Sequence, residues 1–263
     1  MNPADRSAPR SLCKILATFT GNLYLVIGSL VFGIITMLVC WLPPRGSWAA
    51  AVVRLWARGL LAASGVRVTP HLAPELDPRA SYIFLCNHQS MFDIPVLLAT
   101  SPGPVRMLAK RSLFRIPIFG WGMAAGGFIA VDREDRSSAR QSFSQATARL
   151  AAGTSVLVFP EGTRSREPTL LPFERGGFLL ALKSGLSIVP VGISGTREIQ
   201  PRGSWSIRPG TAVVRYGGPV RVADYGLRRK RELVSDVRRR VAELAGLELV
   251  DGDGDGATGG GEE

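Results

Sequence analysis

The sequence contains few cysteines and histidines, and it lacks the nucleophile motif of α/β-hydrolases. Its cysteines are Cys13, Cys40 and Cys86, and their odd number and wide spacing match neither a zinc site nor a set of disulfides. We therefore expect no bound metal and a reducing environment that faces the cytosol. Cys86 ends an apolar run, which favours a packed, inert thiol over a nucleophile. No G-x-S-x-G segment occurs, which argues against a serine esterase on an α/β-hydrolase fold.

Charged residues are absent from residues 15–42, a run of 28 positions. As a helix this run would extend about 42 Å at about 1.5 Å per residue, which exceeds the roughly 30 Å hydrocarbon core of a bilayer. The sequence predicts a hydrophobic membrane anchor with two alternatives. Either one tilted helix spans the membrane, or the chain bends near Gly21 or Gly28 and both ends stay on one face. Basic residues flank the run on both sides, which favours the re-entrant form.

Residues 47–64 follow with the apolar spacing of a second helix, in which Arg54 and Arg58 share one face. This amphipathic helix could lie in the plane of the lipid headgroups. It could equally be a core helix with two solvated arginines. In either case residues 1–64 are predicted to form the N-terminal membrane anchor.

Residues 65–250 have the pattern of one α/β domain, in which short β-branched runs alternate with helical stretches. We expect a central mixed, mostly parallel sheet flanked by helices. The predicted strands are residues 82–86, 105–109, 128–131, 155–159, 188–193 and 212–216. Helices are predicted from Ser137 or Ser138 to Gly153 and over residues 227–245. Residues 251–263 are rich in glycine and acidic side chains, so we expect a disordered tail.

The chain is strongly basic, with a formal net charge of +11. The predicted tail carries five carboxylates and no Lys or Arg, so residues 1–250 carry +16. Such a charge suits an anionic partner, and nucleic acid, an acidic membrane surface and phosphorylated metabolites all fit it. Charge alone does not choose among them.

The most informative segment is NHQSMFD, residues 87–93, which holds one of only two histidines. His88 and Asp93 would point in different directions on one continuous helix, so we place His88 in a loop and Asp93 in the first helical turn behind it. The carboxylate could then accept a hydrogen bond from Nδ1 of the imidazole and leave Nε2 free as a base. The missing member of this partial triad would be a hydroxyl of the substrate.

Cationic side chains follow several of the predicted strands. Arg164 lies in the segment VFPEGTRS, where Gly162 would let a ligand approach the main chain and the guanidinium suits phosphate oxygens. Lys110 and Arg133 each come just after another strand. Ligands of open α/β sheets bind at the carboxyl ends of the strands, so we expect His88 and these cations to lie around one binding site.

These blocks, together with the strand segment IVPVGISGT, resemble the glycerolipid acyltransferase family, most closely the bacterial 1-acylglycerol-3-phosphate acyltransferases. The resemblance covers residues 82–196. It implies that His88 is the catalytic base and that Asp93 orients it. It also implies a phosphate-binding set, which consists of Lys110, Arg133, Glu161, Gly162, Thr163 and Arg164.

The resemblance further implies direct acyl transfer from acyl-CoA or acyl-carrier protein to lysophosphatidic acid, which gives phosphatidic acid in phospholipid biosynthesis. No cofactor beyond this co-substrate and no nucleic acid are expected. The expected location is the cell inner membrane, with the catalytic domain facing the cytoplasm. Alternatives are acylation of another lysolipid, such as a lyso-ornithine lipid or a lysophospholipid, and a membrane-tethered module that only binds anions.

Overall fold

The N-terminal part of the protein consists of two helices, α1 (Ser7–Val39) and α2 (Ser47–Ala63), which pack against each other. The structure, a computed structural model, describes residues 7–42, 47–131, 154–226 and 228–250. Helix α1 runs without interruption through Gly21 and Gly28, where the sequence allowed for a bend. An 18-residue window within Ser11–Val39 has a mean hydropathy of 2.2, so α1 is long and apolar enough to cross a membrane by length and composition.

Strands and helices alternate through the rest of the described chain. The strands are β1 (Val66–Leu72), β2 (Ile83–Cys86), β3 (Val105–Lys110), β4 (Ile129–Val131), β5 (Ser155–Val158), β6 (Thr169–Leu170), β7 (Ile188–Ser194), β8 (Gly210–Tyr216) and β9 (Glu248–Leu249). The further helices are α3 (Asp93–Thr100), α4 (Phe119–Ala125), α5 (Gly176–Ser184), α6 (Thr196–Ile199) and α7 (Lys230–Ala245), with 3-10 turns at Arg111–Arg115 and Val222–Asp224.

Within the described residues, seven strands form one sheet in the order β1-β8-β7-β2-β5-β3-β4. Neighbouring strands are parallel except β7 and β8, so β1 and β8 run opposite to the other five. The predicted mixed, mostly parallel sheet flanked by helices is confirmed. Every residue of the central strand β2 is buried, as expected of a strand covered on both faces. The carboxyl ends of β2, β3, β4, β5 and β7 meet at one edge.

The six predicted strands are all present, but β1 and the small β6-β9 pair were not predicted. Strand β1 contains Pro70 and exposes most of its side chains, so it lacks the apolar alternation by which strands are recognised. Proline is tolerated there because β1 is an edge strand, and the N–H groups on its outer side have no neighbouring strand to bond.

The hydrophobic core lies on both faces of the sheet, and successive residues of β2 alternate between the two sides. Phe84 packs with side chains of α1, α2 and α3 on one face, whereas Leu85 packs with α5 and α7 on the other. Helix α7 buries Leu233, Val237 and Val241 against the sheet, at the spacing expected of an amphipathic helix. The predicted helix ending at Gly153 and the predicted acidic tail lie outside the described residues.

Candidate active site

The side chain of Asn87 ties the carboxyl end of β2 to its neighbour β7. Asn87, which follows β2 directly, is fully buried. Its Nδ2 donates to the carbonyl of Ile193 at 3.0 Å, and its Oδ1 accepts from the N–H of Ile193 at 2.8 Å. Because both main-chain groups of Ile193 are engaged, the point at which the chain leaves the sheet is fixed. His88 is the next residue.

His88 forms a hydrogen-bonded pair with Asp93, the first residue of α3. The distance from His88 Nδ1 to Asp93 Oδ2 is 2.8 Å, and Asp93 is fully buried. The same carboxylate oxygen accepts the N–H groups of Gln89 and Ser90, each at 2.8 Å. An ionised carboxylate only accepts, so Nδ1 carries a proton and Nε2 is left as the basic nitrogen. This is the arrangement that the sequence spacing predicts.

Thr196 and Phe159 hold this pair in place, and sequence reasoning assigned neither of them a role. The Thr196 hydroxyl donates to Asp93 Oδ1 at 2.6 Å. The Phe159 ring stacks on the imidazole of His88, with 4.0 Å between ring centroids and 17° between planes. Both residues lie in segments that carried the family resemblance. Phe159 directly precedes the Pro-Glu-Gly turn, and Thr196 ends the segment that contains β7. Their partners could not be read from the sequence.

A cavity of about 560 Å³ opens beside His88, between the two N-terminal helices and the sheet domain. Its wall is mainly apolar. Side chains from α1, α2, α3 and α4 contribute, among them Leu25, Phe32, Trp56, Leu98, Phe119 and Met123. A cavity with such a lining suits a long apolar group.

Two cations line the same cavity as His88. Lys110 is the last residue of β3, and Arg164 lies in the turn that follows β5. The structure therefore brings together three of the predicted site residues, the imidazole of His88 and the two cations, in the wall of one cavity. Arg133 lies outside the described residues.

Gly162 and Thr163 lie in the same turn as Arg164 but do not line the cavity. Gly162 has a φ of +68°, and a Cβ there would lie 2.2 Å from Glu174 Oε1. A side chain at this position would therefore strain the turn, because of the positive φ, and would displace the exposed carboxylate of Glu174. The carbonyl of Arg164 accepts a hydrogen bond from Arg202 Nη1 at 2.6 Å, which holds the end of the turn.

Glu161 differs from its predicted place among the phosphate ligands. Its side chain is buried, and it is not part of the cavity wall. Instead, its carboxylate accepts the main-chain N–H of His88 at 2.6 Å and that of Leu171 at 3.0 Å. Burial raises the pKa of Glu161 to about 7, although these two hydrogen bonds favour the ionised form.

The Cys86 thiol is buried and takes no part in the site as a nucleophile. Burial, followed by the nearby carboxylates of Asp93 and Glu161, raises the pKa of this thiol well above its ordinary value. A neutral, enclosed thiol is inert. Among the residues described here, no group of three or more His, Cys, Asp or Glu side chains could hold a metal ion.

Comparison with known proteins identifies the class to which this fold and site belong. Residues 67–194 match the acyltransferase family. The chain is 30% identical over 198 residues to the 1-acyl-sn-glycerol-3-phosphate acyltransferase of Haemophilus influenzae, which covers 73% of this chain and 82% of that protein. It is 38% identical over 138 residues to the enzyme of the same name from Chlamydomonas reinhardtii, which covers 52% of this chain and 41% of that protein.

The fold also matches a solved structure, that of the 1-acyl-sn-glycerophosphate acyltransferase from Thermotoga maritima. The TM-score is 0.75 at 24% identity, with 89% of this chain and 97% of the other covered. The chain spans about half the length of the first curated relatives it matches.

The chain belongs to the acyltransferase family, which confirms the resemblance found in its sequence motifs. Within the family, its bacterial relatives are named 1-acyl-sn-glycerol-3-phosphate acyltransferases.

Proposed function

We propose that this protein transfers an acyl group from acyl-CoA or acyl-carrier protein to the free hydroxyl of 1-acyl-sn-glycerol-3-phosphate, giving phosphatidic acid. The observation that carries the proposal is the shared cavity, whose mainly apolar wall includes His88, Lys110 and Arg164. The cations suit a phosphate, the imidazole suits a hydroxyl, and the apolar wall suits an acyl chain. The names of the bacterial relatives support the same acceptor.

Lys110 and Arg164 bind the acceptor phosphate in this proposal. Arg133 is assigned the same role by resemblance to the family. A guanidinium offers a planar pair of donors that matches phosphate oxygens, while the ammonium adds a compact positive charge. With the phosphate bound, the neighbouring hydroxyl lies against His88. Such positioning converts a bimolecular encounter into an effectively unimolecular step.

The reaction then runs in two steps without an acyl-enzyme. Nε2 of His88 removes the hydroxyl proton as the alkoxide oxygen bonds to the thioester carbonyl carbon, and Asp93 stabilises the imidazolium that forms. The tetrahedral intermediate collapses, the carbon–sulfur bond breaks, and the imidazolium returns its proton to the departing thiolate. The products are an ester and a free thiol. This sequence calls for no further cofactor.

We also propose that the protein sits on the cytoplasmic face of the inner membrane with α1 partly inserted. One face of α1 contacts the sheet domain, because Thr18 bonds Ile207 and Gly33 packs on Gly122. Those contacts span about 22 Å of helix. The opposite face exposes apolar side chains such as Phe19 and Val26. A helix covered by its own domain over this length fits partial insertion better than a full crossing.

The proposed activity is tested with purified protein, an acyl donor and a panel of lysolipids that includes lysophosphatidic acid, a lyso-ornithine lipid and a lysophospholipid. We expect preferential acylation of lysophosphatidic acid. His88→Ala should fold normally and lose at least about 10²-fold in turnover, as expected for removal of a general base. His71→Ala is the matched control, because His71 is exposed on the edge strand β1. Near-normal turnover by His88→Ala would reject the mechanism.

A further inference from the structure

The turn that carries Arg164 also encloses the main chain of the proposed base. The N–H of His88 donates to Glu161 Oε1 at 2.6 Å, and the carbonyl of His88 accepts from the N–H of Ser165 at 2.8 Å. Phe159, at the start of the same segment, stacks on the imidazole. Both main-chain polar groups and one ring face of His88 are therefore held by residues 159–165.

Glu161 is the residue that links this turn to a third segment. Its second carboxylate oxygen accepts the N–H of Leu171 at 3.0 Å, just after strand β6. Glu161 is buried, with a relative exposure of 6%, whereas the cavity-lining residue Lys110 is exposed. The carboxylate thus bridges His88 and Leu171, which are far apart in sequence, and it does so from a buried position outside the cavity lining.

A contact between this carboxylate and the acceptor phosphate is physically unfavourable. Both carboxylate oxygens already accept a main-chain hydrogen bond, and the ionised form of Glu161 would in addition repel the phosphate. To reach the phosphate, Glu161 would have to leave two main-chain N–H groups without their partners. Each buried donor left unpaired costs about 1–3 kcal/mol.

We propose that Glu161 is a positioning residue that fixes the main chain of His88 relative to Arg164, and that it does not bind the acceptor phosphate. This inference rests on the proposed acyl transfer to a phosphate-bearing acceptor. Proton transfer needs Nε2 within hydrogen-bond reach of the hydroxyl. Arg164, one of the cations that hold the phosphate next to this hydroxyl, lies on the 159–165 turn, so a bond from that turn to the base helps to set the distance between base and hydroxyl.

The kinetic test separates positioning from phosphate binding. Glu161→Gln keeps the shape but replaces one acceptor oxygen by an NH₂ group that opposes an N–H. Glu161→Asp keeps the charge but is too short to reach both N–H groups. We expect both variants to lose about 10²-fold in kcat with an acceptor KM within about twofold, because a displacement near 1 Å can cost that much. Glu167→Gln is the matched control, because its side chain is 75% exposed in a neighbouring turn.

Either of two kinetic results would overturn the proposal. One is a raised acceptor KM with an unchanged kcat, which indicates a phosphate contact. The other is full turnover by Glu161→Asp, which shows that negative charge alone suffices. If Glu161→Gln does not fold, as judged by circular dichroism, Glu161→Asp decides the question.

A spectroscopic measurement tests the positioning role even if no lipid is acylated. The chain has only two histidines, His71 and His88, so ¹⁵N-histidine labelling gives ring-nitrogen signals from two imidazoles, which His71→Gln assigns. We expect the His88 Nδ1–H signal to be sharp in the parent protein and in Glu167→Gln, and to shift or broaden in Glu161→Gln. An unchanged signal in Glu161→Gln would refute the positioning role. Absence of acylation by the parent protein would instead refute the proposed function.

Discussion

Replacing Asp93 by Asn removes the negative charge next to the proposed base and changes little else. The amide oxygen of Asn can still accept the bonds from Nδ1 of His88 and from the N–H groups of Gln89 and Ser90. The amide NH₂ then faces the Thr196 hydroxyl, which can rotate to accept. The tautomer of His88 is preserved, and the stabilisation of the imidazolium is lost.

The size of this loss follows from the geometry of the pair. With Nδ1 and Oδ2 at 2.8 Å, the centres of charge of the ring and the carboxylate lie about 4 Å apart, and that interaction is worth about 4 kcal/mol at an effective dielectric constant of 20. It acts only once the ring is charged, in the transition state. A difference of this size corresponds to about 10³-fold in kcat. The acceptor KM should not change, because Asp93 is not in the cavity wall.

The assay is steady-state acyl transfer to lysophosphatidic acid, with circular dichroism to verify folding. Asp77→Asn is the matched control, because it makes the same change at an exposed position in the loop before β2. A folded Asp93→Asn protein that keeps its kcat within about tenfold of the parent would refute the argument that this carboxylate stabilises a charged His88.

Arg164→Ala should raise the acceptor KM with a smaller change in kcat, and an unchanged KM in steady-state kinetics would exclude a phosphate contact. Thr196→Val leaves Asp93 Oδ1 without its hydroxyl donor, so urea unfolding should show about 1–3 kcal/mol less stability, and an unchanged midpoint would contradict the importance of that bond. The raised pKa of Glu161 means that the folded protein binds this proton more tightly than the unfolded chain does. Its contribution to stability should therefore be full below pH 4.5 and fall by about 3 kcal/mol as the pH rises through about 7. Unfolding of Glu161→Gln across this range should lack that slope, and equal slopes would show that Glu161 titrates normally.

The local parts of the site could be predicted from the sequence, because they depend on neighbouring residues. His88 and Asp93 are five positions apart, and their opposite directions on a helix required a loop between strand and helix. The carboxyl-end placement of Lys110 and Arg164 followed from the strands before them. The central strands were predictable because strands buried on both faces are continuous apolar runs.

The remaining parts depend on contacts between distant segments. Thr196 lies 103 residues from Asp93, and Glu161 lies 73 residues from His88, so neither hydrogen bond can be predicted from a local sequence pattern. The stacking of Phe159 on His88 likewise follows from the adjacency of β2 and β5 in the sheet. Glu161 was placed among the phosphate ligands by resemblance alone, whereas in the structure Arg164 lines the cavity and Glu161 does not.

Helices α1 and α2 form part of the cavity wall. The two helices predicted to anchor the protein therefore also enclose the proposed reaction site. A chain shortened to begin at residue 65 would lose Leu25, Phe32 and Trp56 from that wall. Water would then reach the thioester and the imidazole together. Such a truncated protein is expected to hydrolyse its donor or to do nothing, and its inactivity would say nothing about the catalytic residues.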